Sequence, residues 1–118
     1  MNLTLDVLTS LLVTCAPLVS PETGVKLIRH ESAGNPFAIG VNGPYVVRPQ
    51  PATAQQGIET AKVLLNTPGV RSIDIGLGMI NSETLKRRGM TLEQAFDPCT
   101  NVATMQSVLL TSGDFRLE

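Results

Sequence analysis

Apolar positions near the start of the chain recur at helical spacing. Leu5, Leu8, Leu11 and Leu12 fall toward one side of a helix. This predicts a first helix over residues 3–14. Cys15-Ala16-Pro17 ends it, because the residue before a proline disfavours the α region. Ser20-Pro21-Glu22 opens a second helix, with an N-cap serine, a proline suited to the first turn and an acid that complements the dipole. Val25, Leu27 and Ile28 face inward, and Gly34-Asn35-Pro36 stops the helix near Ser32. The period then shortens. Ala38–Val41 and Tyr45–Arg48 flank Asn42-Gly43, the sequence pattern of a β-hairpin. Pro44 and Pro49 restrict it to a short or edge hairpin. Thr53-x-x-Gln56 reads as a capping box for a helix through Leu65, with Ile58, Ala61 and Leu65 on its inner face, ended by Thr67-Pro68-Gly69. Val70–Ile75 predicts a strand completing a three-stranded sheet with the hairpin, followed by a tight Gly76-Leu77-Gly78 passage. A short helix is expected from Ser82 to Arg88, stopped by Gly89. Thr91-x-x-Gln94 opens about one and a half further turns before Asp97-Pro98. A last helix runs from about Asn101 to Leu110 and ends at Ser112-Gly113. Helices surrounding one small antiparallel sheet make an α+β fold, mostly α.

Composition narrows the picture. The chain has 118 residues and 12.6 kDa, the size of a single domain. Its net charge is -1, with no block of like charges, which argues against a partner bound through a basic face such as nucleic acid. Three Phe, one Tyr and no Trp leave little for base stacking. No apolar run approaches the roughly 20 residues of a membrane span. The N-terminal segment has the look of a signal peptide. However, no basic residue precedes its apolar stretch and Asp6 interrupts it, so it reads as a core helix; no signal sequence is evident, and one removed ahead of residue 1 is compatible with this. Cys15 and Cys99 lack C-x-x-C spacing. With His30 as the one histidine they cannot complete a tetrahedral site, so no metal or cofactor is expected. Spacing alone leaves open a disulfide, two buried thiols, or one of each.

The segment richest in chemistry is His30–Ile39. Glu31 closes a predicted helix, where the negative end of the dipole disfavours a carboxylate. Burial in a cleft would add to this and keep the group protonated, as an acid for glycosidic cleavage must be. By position alone it reads as a solvent-facing residue that happens to end a helix. Glu31-Ser32-Ala33-Gly34-Asn35-Pro36-Phe37-Ala38-Ile39 resembles the catalytic motif of soluble-lytic-transglycosylase domains, lysozyme-like enzymes that cut peptidoglycan. Ile75-Gly76-Leu77-Gly78-Met79-Ile80-Asn81-Ser82 resembles their second motif, which lines the sugar cleft. Cys15-Ala16-Pro17, the segment Ala38–Gly43 and Phe96-Asp97-Pro98-Cys99-x-Asn101 resemble the branch attached to type IV secretion and conjugation systems. The resemblance covers roughly residues 11–112.

The resemblance implies a lysozyme-like fold and a periplasmic enzyme acting on peptidoglycan glycan strands, with type IV secretion components as partners. Glu31 would protonate the oxygen between N-acetylmuramic acid and N-acetylglucosamine. It would then take the proton of the muramic C6 hydroxyl as this closes on C1, giving a 1,6-anhydro end. Ser32 would touch substrate or orient Glu31. Gly76, Leu77, Gly78, Met79, Ile80 and Asn81 would line the sugar site, although Ile80 also reads as core and Asn81 as a helix cap. Tyr45 is a candidate stacking wall. His30 points about 100° away from Glu31 on a helix and receives no role. A hydrolase would want a second carboxylate; Asp74 is the nearby candidate, and also reads as an ordinary strand residue. Within this branch, Cys15 and Cys99 pair as a disulfide.

Two departures from the family pattern stand out. Met79 occupies a position where the family usually has Gln, losing both hydrogen-bonding functions. The family's third motif, of the Ala-Tyr-Asn-x-Gly kind, is absent from residues 1–118. These departures lead to an expectation of reduced or absent turnover, and to two alternatives: a non-catalytic glycan-binding or scaffolding protein, and a lysozyme-type hydrolase.

Overall fold

The computed structural model describes residues 2–112. Among these, six helices surround one small antiparallel sheet, as the α+β, mostly α reading requires. The helices are α1 (Leu5–Cys15), α2 (Pro21–Ser32), α3 (Ala54–Leu65), α4 (Ser82–Arg88), α5 (Leu92–Phe96) and α6 (Pro98–Ser112). The strands are β1 (Ile39–Asn42), β2 (Ser72–Ile75) and β3 (Ile80–Asn81), in the order β1-β2-β3.

Helix starts follow their side-chain caps. Ser20 Oγ accepts from the Thr23 amide, with Pro21 at the first helical position. Thr91 and Gln94 form a reciprocal capping box. At α3 only half of the expected box forms: Thr53 accepts from Gln56 N, while the Gln56 side chain turns to Ala52 N at 2.9 Å. α2 ends in a left-handed Ala33, φ 56°, immediately before Gly34.

Two expectations need correction. Tyr45–Arg48 forms no strand, so there is no Asn-Gly hairpin. β1 instead pairs with β2, thirty residues on, in the register Ile39↔Ile75, Gly40↔Asp74 and Val41↔Ile73. Pro44 would stand at the head of the return strand and Pro49 at its end, and neither has an N–H for a ladder. The third strand is Ile80–Asn81, a two-residue element too short to show a period. The second correction concerns Asp97-Pro98, which ends α5 as expected, with Asp97 as its C-cap, but also starts the next helix. Asp97 Oδ2 accepts from the Thr100 amide at 2.9 Å, Pro98 takes the first helical position, and α6 begins three residues earlier than expected. Gly113, the expected stop, lies outside the described residues.

The core gathers Leu8 and Leu12 of α1, Ile28 of α2, Ile73 and Ile75 of β2, Leu77, Phe96 and Val102. Of the four leucines that predicted α1, only Leu8 and Leu12 are fully buried; Leu5 is exposed. α1 lies against both α2 and α6. The Cys15–Cys99 disulfide joins the end of α1 to the first turn of α6 across 84 residues. Among the described residues, no helix is long and apolar enough to cross a membrane.

Candidate active site

Glu31 is in the last turn of α2, and its side chain is exposed on a cavity of about 480 Å³. The walls are made by Ser32 and Ala33 from the end of α2, by Asn35, Ala38 and Ile39 leading into β1, and by Gln50 and Met79 from distant segments. Arg29 and His30 also reach its rim. Among the described residues lining the cavity, Glu31 is the only carboxylate. The burial expected around Glu31 is therefore not supplied by the described residues.

The two motif segments are fastened together from below. The buried Ser32 hydroxyl is shared between the carbonyls of Ile28, 3.0 Å, and Leu77, 2.9 Å, and it accepts from Gly34 N at 3.3 Å. It thereby ties the end of α2 to the 76–79 turn.

That turn is held by a second clamp. Asn101, fully buried in α6, donates through Nδ2 to Ile75 O at 2.9 Å and Ala95 O at 2.8 Å, and accepts from Gly78 N at 2.8 Å. Gly76 has φ +78°, and a Cβ there would collide with the Asn101 amide. Glycine is thus required at 76 twice over, by conformation and by space. Leu77 and Ile80 point into the core. Met79 adopts φ 48° and turns its side chain to the cavity. Asn81 caps α4 by accepting from Glu83 N at 2.9 Å, while its Nδ2 donates to Asp74 Oδ1 at 2.9 Å and Ser72 Oγ at 3.1 Å. Of the second-motif residues, only Met79 touches the Glu31 cavity. Gly78, Met79, Ile80 and Asn81 border a neighbouring apolar groove of about 210 Å³ against α6.

Two further placements matter. Asp74 lies on the outer face of the sheet opposite Gly40, with its oxygens held by Asn42 and Asn81, outside the Glu31 cavity. Tyr45 also lies outside that cavity, its hydroxyl donating to Pro68 O at 3.2 Å.

Sequence reasoning missed Gln50 and Asn101. In β1, Gly76 N donates to Ala38 O, so the opposed pair Ile39 and Ile75 does not exchange bonds and Ile39 turns its own N–H and C=O to the free edge. The Gln50 amide satisfies both: Oε1 accepts from Ile39 N at 2.8 Å, and Nε2 donates to Ile39 O at 3.1 Å and Val47 O at 3.0 Å. One side chain thus stands in for a strand. For Asn101 a signal existed: a poor helix former inside a helix often has a private hydrogen-bonding task.

Among the described residues, no group of three or more His, Cys, Asp or Glu is placed to hold a metal ion. The family model described as "Transglycosylase SLT domain" matches residues 13–111. "Type IV secretion system protein virB1" of Brucella abortus is 39% identical over 95 residues, spanning 80% of this chain and 39% of the relative. The protein of the same name in Brucella suis matches to the same extent. "Protein virB1" of Agrobacterium fabrum is 29% identical over 96 residues, spanning 80% of this chain and 38% of its own length. The chain thus spans about two fifths of the length of these curated relatives. No solved structure gives a significant match. With the match running from α1 to the end of α6, through the Glu31 cavity and the clamped turn, the chain belongs to the transglycosylase SLT domain family.

Proposed function

We propose that this chain is a lytic transglycosylase that cleaves the β-1,4 bond between N-acetylmuramic acid and N-acetylglucosamine in the periplasm, opening the wall for a type IV secretion or conjugation apparatus. The relatives' names support the secretion setting. The observation that carries the chemistry is the solitary carboxylate of the cavity. A glycan lying over Glu31 brings its glycosidic oxygen within hydrogen-bond reach of the carboxyl group. Glu31 gives its proton to the glycosidic oxygen, and the bond from that oxygen to C1 breaks. Positive charge develops at C1 and is shared with the ring oxygen or captured by the neighbouring acetamido group. The C6 hydroxyl then bonds to C1 while Glu31 takes its proton. The acid is regenerated, no water is consumed, and the product is a 1,6-anhydro ring. Hydrolysis calls for a second carboxylate serving the same bond. Asp74, the candidate for that role, is held by Asn42 and Asn81 on the outer face of the sheet.

Glu31→Gln tests the assignment. It keeps the shape of the side chain and removes the transferable proton. The expected result is loss of muropeptide release from purified sacculi by at least about a hundredfold, the scale of general acid catalysis, with co-sedimentation on sacculi retained. Undiminished release by the variant would refute the role of Glu31. Binding without release by both proteins would favour a glycan-binding scaffold, the reading that Met79 in place of a polar residue supports.

A further inference from the structure

The space that a side chain at Gly40 would take is filled from two directions. A Cβ there would lie 2.8 Å from the terminal methyl of Met79 and 3.8 Å from Asp74 Oδ2. The terminal methyl of Met79 therefore lies over Gly40 on the outer face of β1, the face to which Asp74 also turns its carboxylate. Met79 lines the Glu31 cavity, whereas Gly40 and Asp74 do not. Met79 therefore reaches both the Glu31 cavity and the strand position opposite Asp74. Asp74 is not a loose surface group: Asn81 donates to one of its oxygens at 2.9 Å and Asn42 to the other at 3.3 Å. It is fixed in place, ready to face whatever stands above Gly40.

We propose that Met79 is the residue that commits this cleft to internal ring closure by keeping the Asp74 carboxylate, and the water it would hold, out of the Glu31 cavity. The inference rests on reading Glu31 as the acid of a glycan cleft. Both outcomes begin alike, with the Glu31 proton on the leaving oxygen and the C1–O bond broken. In closure, the C6 hydroxyl bonds to C1 and returns its proton to Glu31. In hydrolysis, a water oxygen bonds to C1, a water proton passes to a carboxylate, and the product carries a reducing end. A second carboxylate with room for water is the arrangement of hydrolases. Truncating Met79 beyond Cβ opens space for about two waters between Asp74 and the cavity. Leucine keeps the space filled and dry.

The test compares wild type, M79A, M79L and M79A/D74N on purified sacculi, with chain ends read by mass spectrometry after borohydride reduction. Wild type and M79L are expected to yield anhydro ends. M79A is expected to raise the share of reducing ends at least tenfold, and D74N in the same chain to reverse that rise. M79S shortens the side chain to the same extent and is expected to shift the ends in the same direction should M79A fold poorly. Anhydro ends alone from both M79A and M79S would overturn the partition and leave the lytic reading standing. Reducing ends that D74N does not suppress would overturn the part assigned to Asp74. No anhydro ends from wild type would overturn the lytic reading, and the partition with it.

Discussion

Ser32 shows how much a small side chain decides beside the acid. Its hydroxyl spends its hydrogen on carbonyls of α2 and of the 76–79 turn, and is therefore a fastener between the two motifs. The motif resemblance offered Ser32 to the substrate or to Glu31; only the fold reveals the Leu77 carbonyl, 45 positions away, as its partner. Ser32→Ala leaves that carbonyl unpaired in a buried setting. The expected cost is about 1–2 kcal/mol in urea unfolding, with muropeptide release reduced because the turn carrying Met79 loosens. An unchanged midpoint would contradict the fastening role. Glu31's place at the end of α2 was legible from the helix stop that follows it, and its exposure from the solvent-facing reading of that position. The cavity around it was not, because Gln50 and Met79 come from distant segments.

Among the elements, the helices were readable and the sheet was misread. Ser20, Thr53 and Thr91 cap helices where their sequence patterns place them, because a cap is a contact over three residues. The strands depend on partners far away. Asn42-Gly43 has the local signature of a hairpin, yet β1 finds β2 across α3, and Gln50 seals the other edge. No short-range pattern contains that choice. The Asp97-Pro98 pair was ambiguous in a different way, since proline serves both as a stop and as a first helical residue. The 76–79 turn belongs to this scale as well, for it is held by a residue of another element. Asn101→Ala removes three hydrogen bonds and strands the Gly78 N–H and two carbonyls. The expected loss is about 3 kcal/mol, read as a lower denaturation midpoint, with weakened glycan release accompanying it. A loss below about 0.5 kcal/mol would mean that the turn holds itself, against this account.

For the molecule as a whole, the disulfide is the covalent long-range tie, spanning 84 residues. Spacing left the state of Cys15 and Cys99 open, and resemblance to the secretion-associated branch supplied the pairing. The structure joins them between α1 and α6, two helices that also pack directly. Closing a loop of this length is worth about 4 kcal/mol in chain-entropy theory. Replacing both cysteines by serine is therefore expected to lower the melting temperature by more than about 10 °C for a domain of this size. Addition of a reductant should have the same effect on the natural chain and none on the variant. Two freely titrating thiols in the native protein would contradict the bridge. An oxidising compartment such as the periplasm is where such a tie persists.

The ends left on the glycan test the chemistry of the Glu31 carboxylate most directly. Purified sacculi incubated with the 118-residue chain, and their released fragments weighed by mass spectrometry, should yield muropeptides ending in 1,6-anhydro-N-acetylmuramic acid, 18 Da lighter than hydrolysis products by the mass of one water, at a rate lowered by the departures at Met79 and the third motif and abolished in Glu31→Gln. Release of reducing ends alone, or no release above the Glu31→Gln background, would contradict it.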